Sequence, residues 1–278
     1  MHYNSSMDLK TIFFITLPLL WSAPLAAKIE LKLMTFNTMC EFCHKKDADV
    51  FDNRKMLIKD IIKKSDADII SLQEVIRSSQ LEYFVDTDKY NLHYYQNALM
   101  SYPDAALAIK KKDFLILDKG HFWLGENTTN FNFGWKWAMP RILLWMKVQH
   151  IQTKRVFTIY GSHFDNRLEN LAGSSKLIRR IAKESENMIF LADTNSTYEM
   201  QSYQTMQEAL IDLAIDFEGG REYCYLKKGK KFPDCRVDHI MTNIKDAKTN
   251  KYEVILEKVT NTERFPSDHR PIYLEVSL

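Results

Sequence analysis

Four short apolar runs in this chain end in the same way, and that recurrence restricts the fold more than any other feature. "LKLMTFN", "IISLQE", "VFTIYGSHFDN" and "NMIFLADTN" each pass from hydrophobic residues to Asn, Glu, His or Asp at the C-terminal end. Runs of this length and composition read as core strands, and ligand-binding groups gather where loops leave the ends of such strands. One sheet edge would then collect Asn37, Glu74, His163, Asp165, Asn166, Asp193 and Asn195. "RVDHI" and "FPSDHRPIYLEVSL" add Asp238 and the Asp268–His269 pair, the latter between Pro266 and Pro271, which restrict the backbone around it. Any one of these residues alone reads as a turn or a cap. The convergence carries the argument.

The rest of the chain supplies the frame. "YNLHYY", "AALAIKK", "FLILDKGHFWLG", "RILLWMKVQH", "KYEVILEKV" and "PIYLEVSL" read as further strands. "FDNRKMLIKDIIKK" predicts a helix with Met56, Leu57, Ile61 and Ile62 on one face and Asp52 or Asn53 as its cap. "NLAGSSKLIRRIAKES" and "YQTMQEALIDLAIDF" predict two more helices. No repeat, low-complexity tract or linker interrupts the series, so residues 28–278 read as one α/β domain with two packed sheets flanked by helices. A length of 278 residues with 45% hydrophobic content is enough for one well-buried core. The net charge of +2 argues against a global field for nucleic acid.

Residues 11–27, "TIFFITLPLLWSAPLAA", are apolar and followed by small residues, which predicts a secretory signal peptide over residues 1–27. An uncleaved membrane anchor is the alternative. Export to a periplasm or beyond would place Cys40, Cys43, Cys224 and Cys235 in an oxidising compartment, where the local pairs Cys40–Cys43 and Cys224–Cys235 are expected as disulfides. Zinc is the weaker reading, because only "CEFC" has ligand spacing.

The polar set consists of oxygen ligands and imidazoles, without a thiolate. Hard oxygen ligands suit Mg²⁺, Mn²⁺ or Ca²⁺, and Mg²⁺ needs few carboxylates because substrate phosphate and water complete its shell. Neutral donors and imidazoles around such an ion suit phosphoester cleavage.

"MTFN", "LQEV", "GSHFDN", "LADTN", "RVDHI" and "SDHRPI", in that order, resemble the endonuclease/exonuclease/phosphatase superfamily with its DNase I-like fold, from about Ile29 onward. "HFWLG" followed by "GWKWAMPRILLW" resembles a recurrent stretch of its extracellular-type members. The resemblance implies a four-layer α/β sandwich with two central, mainly antiparallel or mixed sheets, and hydrolysis that depends on a divalent cation, with Mg²⁺ first. It implies Glu74 as principal metal ligand with Asn37 and Asp268 near the ion. His269, oriented by Asp238, would face the scissile phosphate. Asp193, assisted by Asn195, would position or deprotonate the attacking water, and His163 would donate to a phosphate oxygen. Arg141, Asp165, Asn166 and Asp104 are the candidates for substrate contact or for partnering His163. The pattern departs from the family at Ala192-Asp193-Thr194-Asn195 and at His163-Phe164-Asp165-Asn166, where an amide replaces a second histidine.

The superfamily resemblance leaves the phosphoester open, since a fold does not choose a substrate. The basic clusters at 110–112, 179–180 and 227–231 are able to contact backbone phosphates, but lysine runs more often solvate faces and hairpin tips. The reading leans slightly toward an exported nuclease or phosphodiesterase acting on DNA or RNA. The runner-up is a phosphatase or phospholipase-C-like enzyme acting on a phospholipid or sugar phosphate head group. A binding protein that retains the fold without the chemistry is disfavoured by the intact Glu74, Asp193 and His269. No obligate protein partner is implied, and a monomer is expected.

Overall fold

The computed structural model describes residues 28–43, 46, 49–96, 102–217 and 236–278. The expected signal peptide, the Cys224–Cys235 pair and the 227–231 lysine run lie outside the described residues.

Along the chain come β1 (Glu30–Asn37), α1 (Phe51–Ser65), β2 (Ile69–Val75), α2 (Ser78–Phe84), β3 (Tyr90–Tyr94) and β4 (Asp104–Lys110). Next are β5 (Phe114–Trp123), β6 (Ile142–His150), β7 (Val156–His163), α3 (Leu168–Glu184), β8 (Met188–Asp193) and α4 (Gln201–Gln207). The described elements end with β9 (Ile211–Asp212), β10 (Asp238–Thr242), β11 (Lys248–Val254) and β12 (Ile272–Ser277).

They form two six-stranded sheets, ordered β11-β12-β1-β2-β4-β3 and β5-β6-β7-β8-β10-β9. Among the described residues only β1–β2 and β7–β8 pair in parallel, and each has a crossover helix between its strands. The period-two alternation sorts residues between layers. Leu31 and Leu33 of β1, Leu107 and Ile109 of β4, Ile189 and Leu191 of β8, and Leu274 and Val276 of β12 meet in the core between the sheets. The alternate residues Met34, Phe36 and Ile70 pack under α1, while Phe190 and Ala192 pack under α3 and α4. This is the expected four-layer sandwich. The two sheets touch closely at Gly161, where an added Cβ would lie 2.7 Å from Leu107 Cδ2.

Three local expectations give way. α1 buries Arg54, Ile58, Ile61 and Ile62, leaving Met56 exposed, and its cap position is Val50 rather than Asp52 or Asn53. "YQTMQEALIDLAIDF" is not one long helix: α4 stops at Gln207 and the chain enters β9, where Asp212 is drawn into a buried network with Tyr203, Arg236 and His239. The helix α2 was not foreseen.

The two basic runs among the described residues also fall away from the polar edge. β4 starts at Asp104 and reaches Lys110 at its far end, so Lys111 and Lys112 sit at the opposite end of the sandwich. Arg179 and Arg180 lie roughly 17 to 18 Å along α3 from its first residue, at 1.5 Å per residue, and Arg179 is paired with Glu208 at 2.6 Å.

Candidate active site

The two sheets deliver their polar strand ends to one place. In β8, Asp193 stands opposite His163 of the parallel neighbour β7 and opposite Asp238 of the antiparallel neighbour β10. These three residues form a row across one sheet. Asn37 at the end of β1, Glu74 in β2 and Asp104 at the start of β4 come from the other sheet, as does His269 just before β12.

The backbone is bent to make this happen. Glu74 occupies a bulge between Gln73 and Val75 in the pairing with β4, with φ 59°. Asp104 has φ 48°, Asn195 φ 49° and Met39 φ 56°. Left-handed conformations in non-glycine residues cost of order 1 kcal/mol or more each, and their concentration around one edge marks a place held in shape by its surroundings.

Asn37 is the hinge of the cluster. Its Oδ1 accepts from Met39 N (3.0 Å), so its Nδ2 donates to Glu74 Oε1 (3.1 Å) and to Asp193 Oδ2 (2.9 Å). Asn37, expected near the ion, thus turns its amide N–H groups toward Glu74 and Asp193, while its oxygen keeps one lone pair free of Met39 N. Glu74 Oε2 accepts from Cys40 N at 2.7 Å.

Two acid–imidazole pairs face Asp193 Oδ2. His269 Nδ1 donates to Asp238 Oδ2 (2.8 Å) and holds Nε2 3.7 Å from Asp193. Burial opposes a charged imidazole here, but Asp238 and Asp193 outweigh it and raise the His269 pKa to about 10. His163 Nδ1 lies 3.2 Å from Asp104 Oδ1 and 2.7 Å from Arg141 Nη1, with Nε2 3.5 Å from Asp193. Burial and Arg141 disfavour its charge, while Asp104 and Asp193 prevail and raise it. Nδ1 faces Asp104 and Arg141, so Nε2 is the ring nitrogen aimed at the centre of the site.

The acids respond in opposite senses. Burial would raise Asp193, yet His269 and His163 hold it below the usual carboxylate range, so it stays an acceptor at neutral pH. Asp104 is likewise kept well below that range, against burial, by Arg141 and His163. Asp238 is pushed up by burial. Asp268 is pushed up by burial and by the nearby charge of Glu74. Mutual repulsion between Glu74 and Asp268, in a donor set of oxygens, is relieved by a hard divalent cation, so these residues fit such an ion. An ion there would supply a Lewis acid for the phosphoryl oxygen and charge for the leaving oxygen.

The remaining candidates divide. Arg141 gives both of its Asp104 contacts at 2.6 Å, so its first role is to fix Asp104 and His163. Its Nε, like Asp238 Oδ1, is buried with hydrogen-bonding capacity unspent. Asn195 donates Nδ2 to Phe164 O (2.8 Å) and its backbone N–H to Asp193 Oδ1 (2.9 Å), bracing Asp193. Asp165 and Asn166 stand apart from the cluster. Asp165 Oδ1 accepts from Arg167 N and Asn170 Nδ2, an Asx-type brace before α3, and Asn166 is exposed.

Two residues escaped notice in the sequence. Arg54, buried in α1, donates to the carbonyls of Thr38, Met39, Cys40 and Pro266, and so ties the loop after β1 to the segment before His269. Its spacing four residues before Ile58 on the buried helical stripe was the available signal. Ser267 Oγ donates to Asn37 O (2.7 Å) and accepts from His269 N (3.1 Å).

Beside the cluster opens a cleft of about 420 Å³. Its polar side is Glu74, Asp104, Arg141 and His163; the opposite wall is Phe42, Ile76, Tyr102, Met139 and the Cys40–Cys43 disulfide. Phe42 is 67% exposed and Met139 53%. A larger groove of about 520 Å³ along α3, with Lys176, Arg179, Arg180 and Lys183, contains no imidazole and lies away from this chemistry.

Two sheets closing on a buried array of two acid–imidazole pairs and a central aspartate define a hydrolase of phosphoesters with the DNase I-like fold. The chain belongs to the Endonuclease/Exonuclease/phosphatase family, whose sequence pattern matches residues 34–269. Enzymes of that family are generally dependent on a divalent metal. Among solved structures, an endonuclease/exonuclease/phosphatase family protein from Bacteroides thetaiotaomicron is 21% identical, with TM-score 0.77, over 91% of this chain and 99% of that one. A mannosyl-6-phosphatase from the same species is 22% identical, with TM-score 0.76, over 88% and 99%. TDP2 from D. rerio, complexed with single-strand DNA product, is 16% identical, with TM-score 0.67, over 89% and 98%. These likenesses establish the fold. No curated protein is a significant match to the sequence.

Proposed function

We propose that the protein hydrolyses a small organic phosphoester with Glu74 and Asp268 holding a divalent cation, Mg²⁺ in the first instance. In this reading Asp193 positions and deprotonates the attacking water, being ionised and placed between two imidazoles. His269, charged at neutral pH, and His163, through the Nε2 that faces the centre, donate to the phosphoryl oxygens. Asp238, Asp104 and Arg141 position those imidazoles.

The observation that favours a small substrate over duplex DNA is the placement of the two basic runs among the described residues, 110–112 and 179–180. Lys111 and Lys112 are at the far end of β4, and Arg179 is engaged with Glu208, so neither run borders the catalytic cleft. A non-specific nuclease needs cations along the backbone track, whereas this cleft is compact and has an apolar wall. The likeness to a mannosyl-6-phosphatase adds support to a phosphate group on a small organic body. Export forms part of the proposal, supported by the apolar segment at 11–27 and by a disulfide at Cys40–Cys43.

The test sets a panel of sugar phosphates and aryl phosphomonoesters and diesters against supercoiled plasmid, with Mg²⁺ and with EDTA. Release of phosphate or phenol from small substrates, lost with EDTA, is the expected result. EDTA-sensitive nicking of plasmid, with the small substrates untouched, would return the assignment to a nuclease.

A further inference from the structure

The motif "CEFC" has so far served as a wall. We infer that, once reduced, Cys40 and Cys43 form with Glu74 a second metal site, selective for a thiophilic divalent ion such as Zn²⁺. The two sulfurs and a carboxylate oxygen of Glu74 lie within 4.8 Å of one another. The residues joined as Cys40–Cys43 have the two-residue spacing of zinc-binding loops. Thiolates about 2.3 Å from Zn²⁺ in a tetrahedral shell sit roughly 3.8 Å apart, so the sulfurs need only separate from bonding distance, without movement of the chain.

The loop is built to keep its shape when the bond opens. Cys43 N donates to Cys40 O (3.1 Å), Cys40 N donates to Glu74 Oε2 (2.7 Å), and the buried Arg54 guanidinium holds Cys40 O (3.1 Å). Glu41, between the cysteines, is tied to Arg77 (3.0 Å) and Gln80 (3.2 Å). The third ligand is thereby bonded to the backbone of the first. Cys43 is exposed and both cysteines border the cleft, so a dithiol or phosphine can reach the bond.

The chemistry balances. A dithiol delivers two electrons and two protons to the disulfide, giving two thiols and its own disulfide. Zn²⁺ then displaces the two thiol protons to solvent as the thiolates bind. Soft thiolates select Zn²⁺ over Mg²⁺. Glu74, on the reading that makes it the ligand of the catalytic ion, can serve one metal at a time, so Zn²⁺ in the thiolate site displaces the hydrolytic ion.

The decisive experiment uses the full chain with Cys224→Ser and Cys235→Ser, which leaves Cys40 and Cys43 as its only cysteines. One half is reduced with a trialkylphosphine, which takes oxygen from water to become the phosphine oxide, and both halves are titrated with Co²⁺ and then Zn²⁺. The reduced chain is expected to show a thiolate-to-cobalt charge-transfer band that Zn²⁺ bleaches, with Zn²⁺ held on the order of 100-fold more tightly than by the oxidised chain. The band should be absent from the oxidised chain and from Cys43→Ser.

A reduced, folded chain without the band overturns the proposal. So does a Zn²⁺ affinity unchanged by Glu74→Gln. If Cys224→Ser and Cys235→Ser prevent folding, the same titration on the unaltered chain and on Cys43→Ser decides it by the difference between them. The band needs no turnover, so an oxidised chain that hydrolyses no phosphoester defeats the reading of the active site while this result stands on its own. Where turnover is present, Zn²⁺ should inhibit the reduced chain about 100-fold more potently than the oxidised one.

Discussion

The two ends of β4 each carry a buried ion cluster, and they differ in what they leave undone. At the far end, Lys110 donates to Asp68 Oδ1 (2.8 Å) and Asp66 O (2.6 Å) and pairs with Asp66 Oδ1 (3.1 Å), so its three protons are spoken for. The left-handed residue there, Asp66, is the ordinary terminus of α1. At the near end, Asp104 holds Arg141 and His163, but Arg141 Nε remains unspent, His163 Nε2 points at Asp193, and the left-handed residues sit in strands and loops around a cleft. Burial of charge is thus common to structure and catalysis. What separates them is a buried donor left without a partner beside an imidazole turned toward a shared acid.

The largest effect should come from that point. Asp193→Asn or His269→Ala is expected to lower kcat by about 10³-fold or more with the fold intact by circular dichroism; activity within tenfold of the parent would refute the assigned roles. His269 also ties stability to pH. Its pKa rises from an ordinary value of 6.5 to about 10 on folding, so its contribution is full below about 6.5 and declines as pH climbs toward 10. Thermal melts of the parent and His269→Gln should therefore converge over that window.

Next in size is Asp104→Asn, which removes the acid behind His163 and Arg141. A fall in kcat of roughly 10- to 100-fold is expected, as for partners that orient a functional imidazole, with a displaced pH–rate profile. An unchanged profile would reduce Asp104 to scaffolding. Lys110→Met tests the other end: stability should drop by about 2 kcal/mol, less than for a fully buried pair because Asp66 is half-exposed. Activity per folded molecule should be unaffected, and Asp68→Asn in the same chain should recover part of the loss. A matching loss of kcat would erase the contrast between the ends. The smallest effect is assigned to Phe42→Ala, expected to raise KM about 10-fold for aryl substrates with kcat retained. Identical KM values would remove Phe42 from substrate contact.

Much of this site was legible because strand chemistry writes it at fixed positions. An apolar run that ends on Asn37, Glu74, His163 or Asp193 puts its polar residue at the strand end whatever the rest of the chain does. The pairing of Asp238 with His269 was legible only through the resemblance, since 31 residues separate them. Several features were not legible. Asp165 shares its short segment with His163 but spends its carboxylate on Asn170, a contact set by how α3 begins. Asn37 turns its amide nitrogen to Glu74 and Asp193 while the left-handed Met39 donates to its oxygen. α4 stops early although its sequence continues with helical spacing, because Asp212 is needed by Arg236 and Tyr203. In each case a tertiary partner overrode a local preference.

Each acid–imidazole pair draws one member from each sheet: Asp104 with His163, and His269 with Asp238. The catalytic groups therefore act as a caliper closed across the sandwich, whose jaws are set by interior contacts such as Gly161 against Leu107. Sliding one sheet by a single residue, about 3.3 Å, would part both pairs at once, while most of the apolar interior could still find contacts. Turnover in such a molecule reports how the layers are seated more sensitively than melting does, and a substitution deep in the interior can silence it without unfolding the chain.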